Sequence, residues 1–253
     1  GTEIYEAVLK NESSIESHNF SLRGCSINFY TPNLRSLWQS SGQEHIEPEL
    51  LDFIDSVPGD GIYVDVGAST GVFAVYAAMK GKKTYCFEPE VANFNILNLN
   101  SFLNHSMIKD NFFAFNLALS NEKTINKMFI RKFGGAAHEK ILGKGDARDG
   151  TESFIAEYTQ SVITLTMDEF CSFSAIAPTD IKIDVDGAEL PLLEGMTNIL
   201  KNPALKRIFI EISETEANSM QALDKLLSCG FRVHRKTRVQ NYFTEYNYTL
   251  HRS

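Results

Sequence analysis

No stretch of this 253-residue chain approaches the ~20 consecutive apolar residues that a membrane-spanning helix needs, so no membrane span is expected. Thr2 to Lys10 mixes glutamate with apolar residues and lacks the apolar centre of a signal peptide, so no targeting segment is expected either. Cysteine is sparse: Cys25, Cys86, Cys171 and Cys229 are scattered and form no C-x-x-C pair. Such single cysteines read as reduced core residues rather than staples or metal ligands, which points to a reducing cytoplasm. Positive charge is in deficit, with 24 Lys and Arg against 32 Asp and Glu and a net charge of −8. Polyanion binding rests on many Lys and Arg contacts to phosphate, so nucleic acid is not an expected partner. No His-x-x-His pattern, internal repeat or low-complexity linker interrupts the chain, and no resident metal is expected. The length suits one enzyme domain with an elaborated end.

What is present begins with Ile62-Tyr63-Val64-Asp65-Val66-Gly67-Ala68-Ser69-Thr70-Gly71. An apolar strand ends in an acid and a two-glycine turn, and a helical pattern follows. Such a turn offers backbone N–H groups and the positive end of a helix to one small volume, suited to a cofactor with an anionic group. The next apolar run, Lys83-Thr84-Tyr85-Cys86-Phe87, ends in Glu88, seventeen positions past Gly71. A carboxylate in that place of a nucleotide-binding βαβ unit accepts hydrogen bonds from the ribose hydroxyls, and Glu88 is assigned that role. Ser69 stands where a dinucleotide fold needs its middle glycine, which argues against a pyrophosphate. Asp65 argues for something cationic nearby, such as the amino group or sulfonium of S-adenosyl-L-methionine.

These residues, with Asn98-Leu99-Asn100, Ile181-Lys182-Ile183-Asp184-Val185-Asp186-Gly187-Ala188-Glu189, Leu192-Leu193-Glu194-Gly195 and Thr166-Met167-Asp168-Glu169-Phe170, make the chain resemble the FkbM-type S-adenosylmethionine-dependent methyltransferases. The resemblance spans about residues 45 to 215. Ser69 replaces the Asn usual in that family, and Asp186 the usual Glu. The resemblance implies methyl transfer to a hydroxyl on a sugar, glycan or other natural product.

Strand and helix patterns alternate from Asp65 onward, which predicts an α/β fold with a doubly wound, mostly parallel sheet; the resemblance implies that this sheet is of the Rossmann-like class I methyltransferase type. A short hairpin is expected over Asn19 to Tyr30 and a helix over Pro48 to Val57. Further helices are expected over Thr70 to Met79, Val91 to Leu103 with Phe94, Leu97 and Phe102 toward the sheet, Leu190 to Leu200 and Glu216 to Leu227. Core strands are expected over Lys83 to Phe87, Asn111 to Leu119, Asp180 to Val185 and Arg207 to Ile212, with an antiparallel edge hairpin over Arg232 to His251. We divide the single domain into an N-terminal elaboration (1–57), a cofactor-binding half (58–120), an insertion (121–173) and the C-terminal half of the sheet (174–253). The insertion holds Gly134, Gly135, Gly143, Gly145 and Gly150 and reads either as a lid or as an ordinary surface excursion.

Ligands of such sheets bind at the carboxyl ends of the strands, where Asp65, Glu88, Asn116, Asp184 and Glu211 fall. Gly67, Ala68, Ser69 and Gly71 would shape the methionine pocket. Asn116 would meet the adenine amino group and Leu117 would line its ring, unless Asn116 is simply a turn former. Asp184 and Asp186, two residues apart, would share one face of an extended chain. They could activate or orient a hydroxyl or hold a divalent cation, while Asp186 and Glu189 could instead cap the following helix. Asp184 is the first candidate for the reaction. His138, in the glycine-rich insertion, could act as a base near its ordinary pKa of about 6.5, or be merely solvated. His234 to Arg238 could attract an anionic acceptor or form a solvated face. A nucleotide-dependent oxidoreductase and a non-catalytic cofactor-binding module are the competing functions. No oligomeric state follows from the sequence.

Overall fold

The computed structural model describes residues 15–136, 140–143, 155–240 and 242–253. Strands β1 (Ser17–Leu22) and β2 (Cys25–Tyr30) form the expected antiparallel hairpin. Arg23 and Gly24 close it with φ of 44° and 82°, the geometry of a two-residue hairpin turn. Arg23 is held there by ion pairs to Asp52 and Asp55, each 2.9 Å.

Helix α1 (Leu34–Ile46) starts at Asn33, whose side chain accepts the Ser36 N–H at 2.9 Å while Ser36 Oγ accepts the Asn33 N–H. Apolar periodicity does not mark this helix, because its buried residues are Ser36, Ser40 and Gln43 and its large apolar residues Leu34 and Trp38 are exposed. Helix α2 (Pro48–Asp55) opens with proline and buries Leu50, Leu51, Phe53 and Ile54, as its sequence pattern predicts.

The chain then alternates through β3 (Ile62–Val66), α3 (Val72–Met79), β4 (Lys83–Phe87), α4 (Val91–Leu103), the short α5 (His105–Ile108) and β5 (Phe112–Phe115). After an excursion through β6 (Ala118–Leu119), β7 (Thr124–Ile130), β8 (Lys140–Leu142), β9 (Tyr158–Leu165) and α6 (Met167–Ser174), it returns to the sheet as β10 (Asp180–Ile183). There follow α7 (Glu189–Glu194), β11 (Arg207–Ser213), α8 (Ala217–Ser228), β12 (Phe231–Arg238) and β13 (Glu245–Arg252). The main sheet has the order β12-β13-β11-β10-β3-β4-β5. Its five central and inner-edge strands are parallel, and β13 runs antiparallel to both β11 and β12. The expected doubly wound sheet with an antiparallel edge hairpin is therefore present, and strand order reverses between β3 and β10.

Alternate residues of the central strands feed two cores. Val64, Val66, Ile181, Ile183, Ile208 and Ile210 pack toward α6, α7 and α8. Tyr63 and Phe209 pack on the other side with α2, α3 and the N-terminal hairpin. The N-terminal hairpin and α2 thus share this face of the sheet with α3. Asn100 and Asn104 of α4 and its C-cap fasten the hairpin there by accepting the Tyr30 and Asn28 N–H groups at 2.7 and 3.0 Å.

Several expectations change. The third strand does not run through Leu119: it breaks at Asn116 and Leu117, and β6 joins β9, β7 and β8 in a second, four-stranded sheet of order β6-β9-β7-β8. Helix α3 starts two residues late because Gly71 is its N-cap with φ of 78°. The helix expected to reach Leu200 ends at Gly195, where a Cβ would lie 2.0 Å from the Ser120 carbonyl oxygen, and resumes as a 3-10 turn over Ile199–Lys201. Phe102 is 66% exposed rather than turned to the sheet, since the buried stripe of α4 runs through Asn93, Ile96, Leu97 and Asn100. The stretch from His234 to Arg238 is a solvated face: Arg235 and Lys236 pair with Asp52 and Glu214 at 3.1 and 2.7 Å. All four cysteines are free, with Cys86 fully buried in β4. No helix among the described residues is long and apolar enough to cross a membrane.

Candidate active site

The turn after β3 lies against the end of β4. Gly67 has φ of 79°, and a Cβ there would sit 1.8 Å from the carbonyl oxygen of Asp184, so the turn and the end of β10 meet backbone to backbone. The N–H groups of Gly67 and Ala68 both donate to the Phe87 carbonyl at 3.0 Å, and that of Gly71 donates to the Ala68 carbonyl at 2.8 Å. Ser69, with φ of 50°, donates its N–H to Glu88 Oε2 at 2.8 Å. The N–H groups of Gly67, Ala68, Ser69 and Gly71, expected to be open to an anion, are thus engaged by β4, by Glu88 and by the turn itself. A pyrophosphate would find few free donors.

Glu88 is 5% exposed, and its other oxygen accepts the Glu90 N–H at 2.9 Å. Burial pushes its carboxyl above the usual range, although Lys140 and the two backbone donors oppose the shift. Each oxygen keeps acceptor capacity for a ligand hydroxyl. Glu90 caps α4 by accepting the Ala92 and Asn93 N–H groups. Lys140 of β8 reaches Glu90 at 3.4 Å and Glu88 at 4.0 Å.

The second sheet is fastened at the same place. Gln160 of β9 donates to the Pro89 carbonyl at 2.7 Å and accepts the Val91 N–H at 3.0 Å. Ala136 donates its N–H to Asn93 at 2.8 Å. Asn116, which is exposed, donates through Nδ2 to the carbonyls of Glu88 and Pro89 at 2.9 and 3.0 Å, so its amide nitrogen clasps the loop after β4. Leu117 is partly buried against the larger core. His138 lies outside the described residues, as do Gly145 and Gly150.

Asp65 is 1% exposed and faces Lys182, its register neighbour on β10, whose Nζ is 3.2 Å from Oδ1. The same ammonium lies 3.4 Å from Asp184 Oδ2 and donates to the Gly67 carbonyl at 2.8 Å. The cation that Asp65 calls for is therefore the protein's own lysine, not a ligand. Burial alone would depress Lys182, but Asp65, Asp184 and Glu47 hold it above the ordinary lysine range. Burial likewise raises Asp65.

Asp184 is 40% exposed at the mouth of the site. It does not share an extended face with Asp186, because β10 ends at Ile183 and Asp186 turns left-handed with φ of 50°. Glu189 folds back so that Oε1 accepts the Gly187 N–H at 2.9 Å, but this N–H lies before the N-cap Ala188, and α7 has no side-chain cap of the kind expected from Asp186 or Glu189. Burial raises its carboxyl to about 7, burial with Asp184 and Asp186 nearby raises Glu211 to about 9, and burial with Asp184 raises Glu47 to about 8.

Lys182, Glu47 and Lys140 complete the site without having been singled out by sequence. Only Lys182 carries a readable signal, being a lone charge inside the apolar run Ile181-Lys182-Ile183, which a buried strand tolerates only when paired. No group of three or more His, Cys, Asp or Glu side chains among the described residues has spacing suited to a metal ion.

Comparison with known proteins bears on this arrangement. Residues 65–233 match the family described as Methyltransferase FkbM domain. The chain is 23% identical over 183 residues to hexuronic acid methyltransferase AglP of Haloferax volcanii, covering 71% of this chain and 68% of that protein. It is similar in fold to methyltransferase FkbM from Methylobacillus flagellatus, with a TM-score of 0.52 and 15% identity over 75% of this chain. That match takes in 44% of the Methylobacillus chain, so this chain spans less than half of that structure.

Proposed function

The chain belongs to the FkbM methyltransferase family, and from that premise we propose that it transfers the methyl group of S-adenosyl-L-methionine to a hydroxyl oxygen of a sugar, glycan or other natural product. The observation that carries the cofactor assignment is Glu88, a buried carboxylate at the end of β4 held 2.8 Å from the backbone of the glycine turn after β3. That is the place from which a carboxylate reaches adjacent ribose hydroxyls. The AglP match, a protein named for a hexuronic acid, supports a sugar acceptor.

When bound, the cofactor supplies a methyl group on a sulfonium that departs as a neutral thioether. Glu88 would accept the ribose hydroxyls, and Gly67, Ala68, Ser69 and Gly71 would shape the wall beside the methionine part. Asn116 and Leu117 would border the adenine, Asn116 through Oδ1, since its nitrogen is engaged. Asp65 acts at one remove, by fixing Lys182. The exposed carboxylate of Asp184 would accept the hydrogen bond of the acceptor hydroxyl and take its proton as the new C–O bond forms. Aligning the reactants and excluding water supply most of the rate in such a displacement, and the second sheet, fastened at Pro89 and Val91, would help exclude water.

The test is calorimetric titration with S-adenosylmethionine and S-adenosylhomocysteine, with NAD as control. Micromolar binding of both sulfur nucleosides, lost in Glu88→Ala, is the expected result. Binding of NAD alone would replace the methyltransferase reading with the oxidoreductase one.

A further inference from the structure

Beside the ends of β10 and β11 lies a cavity of about 30 Å³. Asp186, Glu189, Glu211, Glu216 and Glu245 line it, together with Ser213, and no lysine or arginine is among the described residues that line it. It has room for at least one group the size of a water molecule. Glu189 is 4% exposed, and although Oε1 accepts the Gly187 N–H, Oε2 is buried in this lining residue without a hydrogen-bond partner. A buried acceptor in that condition calls for a donor from outside the chain.

We propose that this cavity receives an ammonium group of the methyl acceptor, so that the acceptor is an amine-bearing sugar rather than a neutral hexose or a hexuronate. The inference rests on the methyl-transfer reading and narrows its substrate. An ammonium brings three donors and one positive charge in a volume the cavity can hold. A carboxylate brings only acceptors and would meet five carboxyl groups. Geometry relative to Asp184 agrees: Asp186 follows it by two residues, and Glu211 lies on the neighbouring strand. An amine seated here leaves hydroxyls of the same sugar beside Asp184. Burial raises Glu189 to about 7, and burial with Asp184, Glu47 and Asp186 nearby raises Glu211 to about 9, with Lys182 the cation opposing the shift at Glu211. Glu211 and a share of Glu189 hold protons at neutral pH until a cation displaces them, so amine binding should release protons.

The experiment titrates glucosamine, glucose and glucuronate into the protein, with and without S-adenosylhomocysteine, at pH 7 in two buffers of different ionisation heat. Glucosamine should bind at least about tenfold more tightly than glucose, with proton release, and glucuronate more weakly than either. Glu189→Gln and Glu211→Gln should each reduce the glucosamine-to-glucose ratio toward one. Equal affinity for glucosamine and glucose, no glucosamine binding, or a preference for glucuronate overturns the proposal. So does displacement of glucosamine by micromolar Mg²⁺ or Ca²⁺, which would reassign the cavity to a metal. Failure of S-adenosylhomocysteine to bind would instead sink the methyltransferase reading, and the titrations without it keep the two failures apart.

Discussion

Lys182 and Asp65 stand opposite each other in register on neighbouring parallel strands, with Nζ 3.2 Å from Oδ1 and side-chain exposures of 5% and 1%. The pair sits where strand order reverses, and the lysine also grips the Gly67 carbonyl and Asp184. One buried ammonium therefore ties the glycine turn to the residue proposed to take the acceptor proton.

Removing one member of such a pair leaves an uncompensated buried charge. Lys182→Met should destabilise the protein by about 3–5 kcal/mol in urea unfolding, and Lys182→Met with Asp65→Asn should recover much of that loss. If the single substitution costs under about 1 kcal/mol, the pair does not hold the turn.

Gly67 and Gly81 share a left-handed backbone, with φ of 79° and 77°, but differ in surroundings. A Cβ on Gly67 would meet the Asp184 carbonyl oxygen at 1.8 Å, whereas one on Gly81 would meet nothing within 4 Å. Gly81→Ala should cost about 1–2 kcal/mol from backbone strain alone. Gly67→Ala should cost about 3 kcal/mol or more and weaken binding of S-adenosylhomocysteine. Equal losses in thermal unfolding would show that the approach of Asp184 is not tight.

The sheet was legible because its strands are short apolar runs separated by helical periodicity, and β4 and α4 have the bounds their patterns predict. Helix α1 was not, since its buried residues Ser36, Ser40 and Gln43 are polar and leave no hydrophobic period. The position of Glu88 just past the end of β4 was legible from the apolar run before it. Asp65 was expected to face a cation of the cofactor, but it faces Lys182, from 117 positions along the chain, across a strand pairing that local pattern does not encode. The departure of β6 to the second sheet depends on pairing with Thr164 and Leu165, a long-range choice of the same kind.

Asp184→Asn keeps the shape of the side chain and removes its capacity to take a proton. With an acceptor in hand, kcat should fall about 10²- to 10⁴-fold while the affinity for S-adenosylmethionine, measured separately by calorimetry, changes little. Unchanged turnover would remove Asp184 from the proton-accepting role.

The raised carboxyls make stability depend on pH in a set direction. Glu211, Glu47 and Glu189 hold protons in the folded protein up to about 9, 8 and 7, whereas the unfolded chain releases them near 4.5. Between those limits the folded state binds more protons, so stability is fully present below the unfolded value and is lost as pH rises through the folded ones. Asp55, which its partners hold below 3.8, acts only under more acid conditions. His251, lowered from 6.5 chiefly by burial, opposes the trend near neutrality but is common to wild type and variant. The Tm from circular dichroism should therefore fall from about pH 5 to about pH 9, and Glu211→Gln should flatten that fall because its amide has no proton to lose. A Tm that rises through this window, or the same slope in both proteins, would mean that Glu211 ionises as an ordinary carboxyl, and would also take away the proton release expected when an amine enters the cavity.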